Sequence, residues 1–410
     1  MFSPNQLIDA VFLALAVLFG GVIALACAAV GQRIKSDRRA RERDRCRLRI
    51  SSILQGLISQ TLDYPAGLSL LREELKSGGA ATTVAILAAP SRWENGLGVR
   101  QRLAEELGLV QAWQRVQAPA LRISRRLRSS WPFLANCLDA FNVLGRAEKL
   151  DRLGRIRHQA SWRLLAGALD DPSPDVREVA IRSLAALGEP LSFPYLVKHL
   201  RAAAAFPEGA ASQRALTAAF ASFPLRLAGQ LASPLQDPNA RLRFLASRAL
   251  REMVASRSSL LPVSAPAREA GQEVTRLVLT RLPEDENPEV RAAAADLSGW
   301  FSEDAQARRP LLRLIKDPEW FVRLHAVRAL GQSGTGECVD ELLTCITDGD
   351  WRVREAAVQA IARSSPDGRL QLVSAFLQTE DSYAREQIVE ELQFSGMLAQ
   401  GEAPSRATGG

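Results

Sequence analysis

At 410 residues, 47% apolar but only 6% aromatic, the chain has room for two or three ordinary domains and the Ala- and Leu-rich make-up of all-α packing. Its charge of +7 is concentrated: residues 33–49 hold nine basic and three acidic side chains, a net of +6, which leaves +1 for the rest and argues against a broad basic surface for nucleic acid. The five cysteines (Cys27, Cys46, Cys137, Cys338 and Cys345) form no C-x-x-C pair and no zinc spacing, so they read as free thiols in a reducing compartment.

The first segment in chain order is 10–30, AVFLALAVLFGGVIALACAAV, 21 residues without a charge. At ~1.5 Å per residue, a helix of this length spans a hydrocarbon core of ~30 Å. The preceding MFSPNQLI holds no basic side chain, whereas Arg33, Lys35, Arg38, Arg39, Arg41, Arg43, Arg45, Arg47 and Arg49 follow. That order is the reverse of a secretory signal peptide, and positive charge stays on the cytoplasmic side. The expectation is an uncleaved single-pass helix over 10–32, with residues 1–9 outside a bacterial inner membrane and the remainder in the cytoplasm. The basic segment 33–49 has three readings: a topology signal, a contact for anionic lipid head groups, or a nucleic-acid contact. Asp37, Glu42 and Asp44 within it, and the apolar run beside it, favour the first two.

Residues 50–160 are helical in pattern but poorly periodic. Ile50, Ile53, Leu54, Leu57, Ile58 and Leu62 keep helix spacing. We read 50–118 as an N-terminal helical cap and 120–160 as a worn repeat whose second helix, 130–145, lacks the aspartate and arginine of the later ones.

From 161 to 395 one pattern recurs. It is plainest in DPEWFVRLHAVRALGQ (317–332) and returns at 171–188, 237–252, 285–300, 348–363 and, weakly, 380–394. Asp171, Asp237, Asp285, Asp317 and Asp348 each stand six residues before Arg177, Arg243, Arg291, Arg323 and Arg354. Arg291, Arg323, Arg354 and Arg385 follow one another at 32, 31 and 31 residues. The gap of 66 from Arg177 to Arg243 leaves room for one degenerate unit around 212–222, and the 48 before Arg291 for an insertion at 256–272. Proline opens the helix, glycine such as Gly331 is expected to close it, and a shorter apolar helix precedes each turn. A fixed period of this size is the mark of a solenoid.

The order helix, Asp turn, V-R-x-x-A helix, Gly resembles the HEAT repeat, in the short bacterial form also found in phycobilin lyases. The resemblance covers 162–394 and implies an all-α solenoid, a superhelix of antiparallel helix pairs, in which Asp and Arg of successive repeats form a polar ladder. The last unit departs from it, with Thr379 in place of the aspartate and Ile388 in place of the small residue, as suits a terminal cap. Residues 396–410 read as a disordered tail.

Little in the chain reads as catalysis. No Walker, Rossmann or G-x-S-x-G pattern occurs, and His158, His199 and His325 fall in different repeats. Glu284, Asp285, Glu286 and Glu289 sit at a helix start, where the helix dipole favours them. No metal or cofactor is expected. The ladder residues are assigned to structure. Trp320 and Trp351, in equivalent places near a turn, are either interface anchors or packed under the next repeat. The expected function is therefore non-enzymatic: a membrane-anchored scaffold that binds a protein partner, itself membrane-associated, with no nucleic acid. The alternatives are a chromophore-attachment factor of lyase type, or nucleic-acid binding on the repeat surface.

Overall fold

The computed structural model describes residues 40–42, 44–76, 80–88, 96–115, 132–206, 212–257, 269–300, 305–332, 338–364 and 367–397. They are helical, and no strand occurs among them. The expected transmembrane helix over 10–32 and most of the expected tail lie outside the described residues. Among the described residues no helix is long and apolar enough to cross a membrane. The chain divides into two compact units, Met1–Arg115 and Val116–Gly410, so the boundary falls inside the 50–160 stretch.

The first unit holds α1 (44–58), α2 (Tyr64–Glu74), α3 (Ala80–Leu87), α4 (Leu97–Glu106) and α5 (Leu109–Gln114). Cys46, Ile50, Leu54 and Leu57 recur at helical spacing, so they form one apolar stripe along α1. That stripe is buried with Leu68, Leu71, Leu87 and Leu103.

The second unit is built from helix pairs. Its first described helix is α6 (Pro132–Arg155), which runs ten residues beyond the expected end at 145. Then come α7 (Trp162–Gly167) with α8 (Pro174–Leu187), α9 (Phe193–Ala205) with α10 (Gln213–Ala219), and α11 (Ala232–Leu235) with α12 (Ala240–Ala255). The insertion separates these from α13 (Gln272–Arg276) with α14 (Pro288–Trp300). The last pairs are α15 (Ala305–Leu314) with α16 (Trp320–Gln332), α17 (Val339–Cys345) with α18 (Trp351–Ser364), and α19 (Gly368–Gln378) with α20 (Ser382–Phe394). Every second helix packs on the second helix of the next pair, from α6 on α8 through to α18 on α20.

The pattern V-R-x-x-A explains that stacking. In α16, Val322, Ala326, Ala329 and Leu330 are buried; in α18, Val353, Ala357 and Ile361 take the same places. Small residues let neighbouring backbones approach. Gly331 is a correction to the sequence reading: α16 continues through it to Gln332, and it is not among the residues with positive φ. A Cβ there would lie 2.5 Å from the Cβ of Ala360 on α18, so its role is close helix contact. Gly188, by contrast, does close α8 in the left-handed region at φ 62°. Where the period fails, aromatic residues fill the core: Phe193 stands edge-on to Phe220 and Phe223 at 5.1 and 5.4 Å between ring centres.

Candidate interaction surface

The turns between first and second helices share one geometry. The aspartate Oδ1 accepts the backbone N–H two residues on: Ser173 to Asp171, Asn239 to Asp237, Asn287 to Asp285, Glu319 to Asp317 and Asp350 to Asp348, all at 2.9–3.0 Å. The helix itself is capped one step later, as where Asn287 accepts from the N–H of Glu289 and Asp350 from that of Arg352. Six residues after the aspartate, the arginine folds its Nη1 back onto the aspartate's own carbonyl, at 2.6–2.9 Å for Arg177, Arg243, Arg291, Arg323 and Arg354.

Three of these arginines also hold the next turn. Arg243 donates Nε and Nη2 to Asp285 at 2.6 and 2.8 Å, Arg291 to Asp317 at 2.7 and 2.9 Å, and Arg323 to Asp348 at 2.7 and 2.8 Å. One guanidinium thus closes its own turn and clamps its neighbour's, using the two-pronged match of guanidinium to carboxylate. The carboxylate hydrogen bonds, against the opposing effect of burial, raise the pKa of all three arginines.

Two rungs were invisible as a motif. Arg146 of α6 donates Nε and Nη2 to Asp171 at 2.9 and 3.1 Å, so the worn first unit does contribute an arginine, contrary to the sequence reading. Arg201 of α9 reaches Asp237 at 3.3 Å and Ser233 at 2.9 Å. It comes from a first helix, so no repeat alignment would propose it. Arg354 ends the series with no carboxylate: the ring of Tyr383 lies 5.3 Å from its Cζ.

The two tryptophans part company. Trp320 is half-buried against the core with the Arg352 guanidinium over its face, whereas Trp351 is 56% exposed. Along α1, Arg41 (just before it), Arg45, Arg47 and Arg49 are exposed, and Arg49 pairs with Glu74 at 3.2 Å. Arg33, Lys35, Arg38, Arg39 and Arg43 lie outside the described residues. Cys46 is buried and donates to Glu74 at 3.4 Å; burial, first, raises its pKa.

The histidines serve local contacts. His325 meets Asp296 at 2.7 Å, which also accepts from Arg251 at 2.8 Å. His199 stands 3.4 Å from Asp170, and burial lowers its pKa. Among the described residues no cluster of His, Cys, Asp and Glu could hold a metal ion. Glu284, from the acidic run, pairs with Arg313 at 2.5 Å. Among the described residues, clefts open on the helix pairs. One of about 330 Å³ is bordered by Asp170, Arg177, Ile181, His199 and Phe206. Another of about 280 Å³ lies between α18 and α20, with Glu355, Arg363, Glu390, Glu391 and the 88% exposed Phe394 at its rim.

Among solved structures, that of Kap121p is similar over 86% of this chain and 49% of its own length, at 13% identity and a TM-score of 0.33. A triple mutant of Kap121p aligns over the same shares at 14% identity and a TM-score of 0.31. The chain thus spans about half the length of these structures. No curated protein matches it. The family model for HEAT repeats matches residues 132–217, 275–345 and 309–393, together half of the chain. Those stretches begin at α6 and end in α20, and on them the chain belongs to the HEAT-repeat family.

Proposed function

We propose that this protein is a scaffold: its stacked helix pairs bind a protein partner, and its N-terminal segment holds that complex at the cytoplasmic face of a bacterial inner membrane. The observation that carries the first half is the continuous packing of second helices from α6 to α20, with arginine–aspartate rungs fastening α6 to the turn before α8 and each of α12, α14 and α16 to the turn that follows. Such a stack presents a long, stiff surface whose length is set by the number of units and not by a central core. The exposed Trp351 and Phe394 and the α18–α20 cleft are suited to a protein surface.

The second half rests on the sequence. The uncharged run 10–30 is followed by the basic segment, and Arg41, Arg45, Arg47 and Arg49 face solvent, where anionic head groups would meet them. The partner is then membrane-associated, and the chain acts as an accessory subunit without chemistry of its own. Capture in mild detergent followed by mass spectrometry tests the scaffold: one partner should co-purify in fixed proportion, and its absence removes the reading. A C-terminal reporter active only outside the cytoplasm should stay silent; activity would overturn the assigned orientation.

A further inference from the structure

Four times among the described residues an arginine of one second helix receives, through Nε and Nη2, the carboxylate of the next unit's turn: Arg146 from Asp171, Arg243 from Asp285, Arg291 from Asp317 and Arg323 from Asp348. Arg354 occupies the same place in α18 and does not. Thr379 stands where the next aspartate would be. Its Oγ1 accepts the N–H of Asp381 at 3.3 Å, and its carbonyl accepts Nε of Arg385 at 2.9 Å. Threonine thus performs the turn-holding half of the aspartate's role and leaves out the half that would meet the preceding arginine.

The consequence for Arg354 is a guanidinium with one satisfied edge. Nη1 donates to the carbonyl of Asp348 at 2.7 Å, while Nε is buried without a hydrogen-bond partner. A desolvated, unbonded N–H is unfavourable, and the face of the Tyr383 ring offsets only part of that. The aspartates of the neighbouring turns are engaged elsewhere. Asp350 is bound by Arg352 at 3.0 and 2.9 Å, Asp348 by Arg323, and Asp381 by the N–H groups of Tyr383 and Ala384. Tyr383, whose ring centre lies 5.3 Å from the Arg354 Cζ, is 64% exposed and so has room to turn away. Trp351, one helical turn earlier on the same side of α18, is exposed beside it.

We propose that Arg354 is an open rung that binds an aspartate carboxylate presented on a turn by the partner protein, with Tyr383 swinging aside to admit it. Trp351 and Tyr383 pack against the incoming turn. This rests on the scaffold reading and names the contact it would use. The filled rungs say why the ligand is an aspartate on a turn: each holds a planar two-oxygen group fixed by the N–H two residues on, and that is the geometry the guanidinium already accepts.

The probe is a fluorescent peptide copying residues 312–325, LRLIKDPEWFVRLH, the turn that fills the Arg291 rung, titrated against the full chain in mild detergent. The expected result is saturable binding. It should weaken about tenfold when the peptide carries Asp317→Asn, and equally when the protein carries Arg354→Gln or Thr379→Asp. Thr379→Asp should also raise the melting temperature, because it supplies the missing carboxylate from within; this control shows that the variant is folded and the rung filled. No saturable binding, equal binding of the Asn peptide, or a Thr379→Asp protein that binds as before or melts no higher overturns the proposal. Partner capture separates the two readings. A partner held equally by wild type and Thr379→Asp leaves the scaffold standing and removes the rung. A wild-type chain that captures nothing removes the scaffold, while the peptide titration still decides the rung.

Discussion

Arg352 lies over Trp320, its Cζ 3.4 Å from the centre of the ring, although the two belong to successive units. Asp350 holds the guanidinium there, accepting from Nε and Nη2. An indole set near one turn is thereby roofed by the next unit, while its counterpart Trp351, whose ring centre is 5.8 Å from the same Cζ, stays exposed.

Truncation of the two should therefore differ. Trp320→Ala removes packing against the core and the ring beneath Arg352, and should lower stability by more than about 1 kcal/mol, since the cation–π contact alone contributes about 0.5–2 kcal/mol. Trp351→Ala should stay within about 0.5 kcal/mol, as exposed positions do. Urea denaturation of both variants, followed by circular dichroism, checks the contrast; equal losses would contradict it.

The rungs should not be equivalent either. The Arg243 and Asp285 side chains are only 8% and 3% exposed, against 43% and 23% for Arg201 and Asp237. Arg243→Gln leaves a buried carboxylate without its partner and should cost about 3–5 kcal/mol. Arg201→Gln should cost less than about 1 kcal/mol, because water solvates what remains. The paired change Arg243→Met with Asp285→Leu should recover part of the first loss, measurable as a shift of the denaturation midpoint.

Gly331 offers a test in which two effects oppose each other. Alanine is the better helix former by about 1 kcal/mol. Its Cβ, however, would stand 2.5 Å from the Cβ and 3.0 Å from the Cα of Ala360, a crowding that costs about 1–3 kcal/mol. Gly331→Ala should therefore lower the melting temperature, and adding Ala360→Gly should restore it. A rise for the single variant would show that α16 and α18 are not in close contact there.

His199 should give a pH-dependent term. Burial lowers its pKa in the fold, with Asp170 pulling weakly the other way, and the ring is 16% exposed. As pH falls below about 6.5, the unfolded chain takes up a proton that the folded one resists, so this histidine's contribution to stability falls with pH. His199→Gln should flatten the decline in melting temperature between about pH 7.5 and 5.5 relative to wild type. An unchanged profile would mean that the ring titrates freely.

How much of this could be read in advance divides by the range of the physical effect. The turn is local, so Asp317, Pro318 and Arg323 announce it within seven positions. Arg146 was missed because its unit has no aspartate of its own, yet the spacing held the signal: it precedes Asp171 by 25 residues, as Arg323 precedes Asp348. Arg201 had no such signal, for its 36-residue step to Asp237 belongs to a unit whose second helix lost the motif. Gly331 was misread as a cap because a glycine late in a helix looks the same whether it ends the helix or admits a neighbour. Only the position of Ala360 distinguishes the two. The roof over Trp320 depends on a side chain one unit away, which periodicity places but does not aim.

The rungs join each unit only to the one after it, so pulling on the two ends would load them in series, one latch after another. Under such tension the chain should yield like a spring, lengthening in steps of one unit. From α12 onward, the first step should come at α19 and α20, where the latch is a tyrosine ring and not a carboxylate.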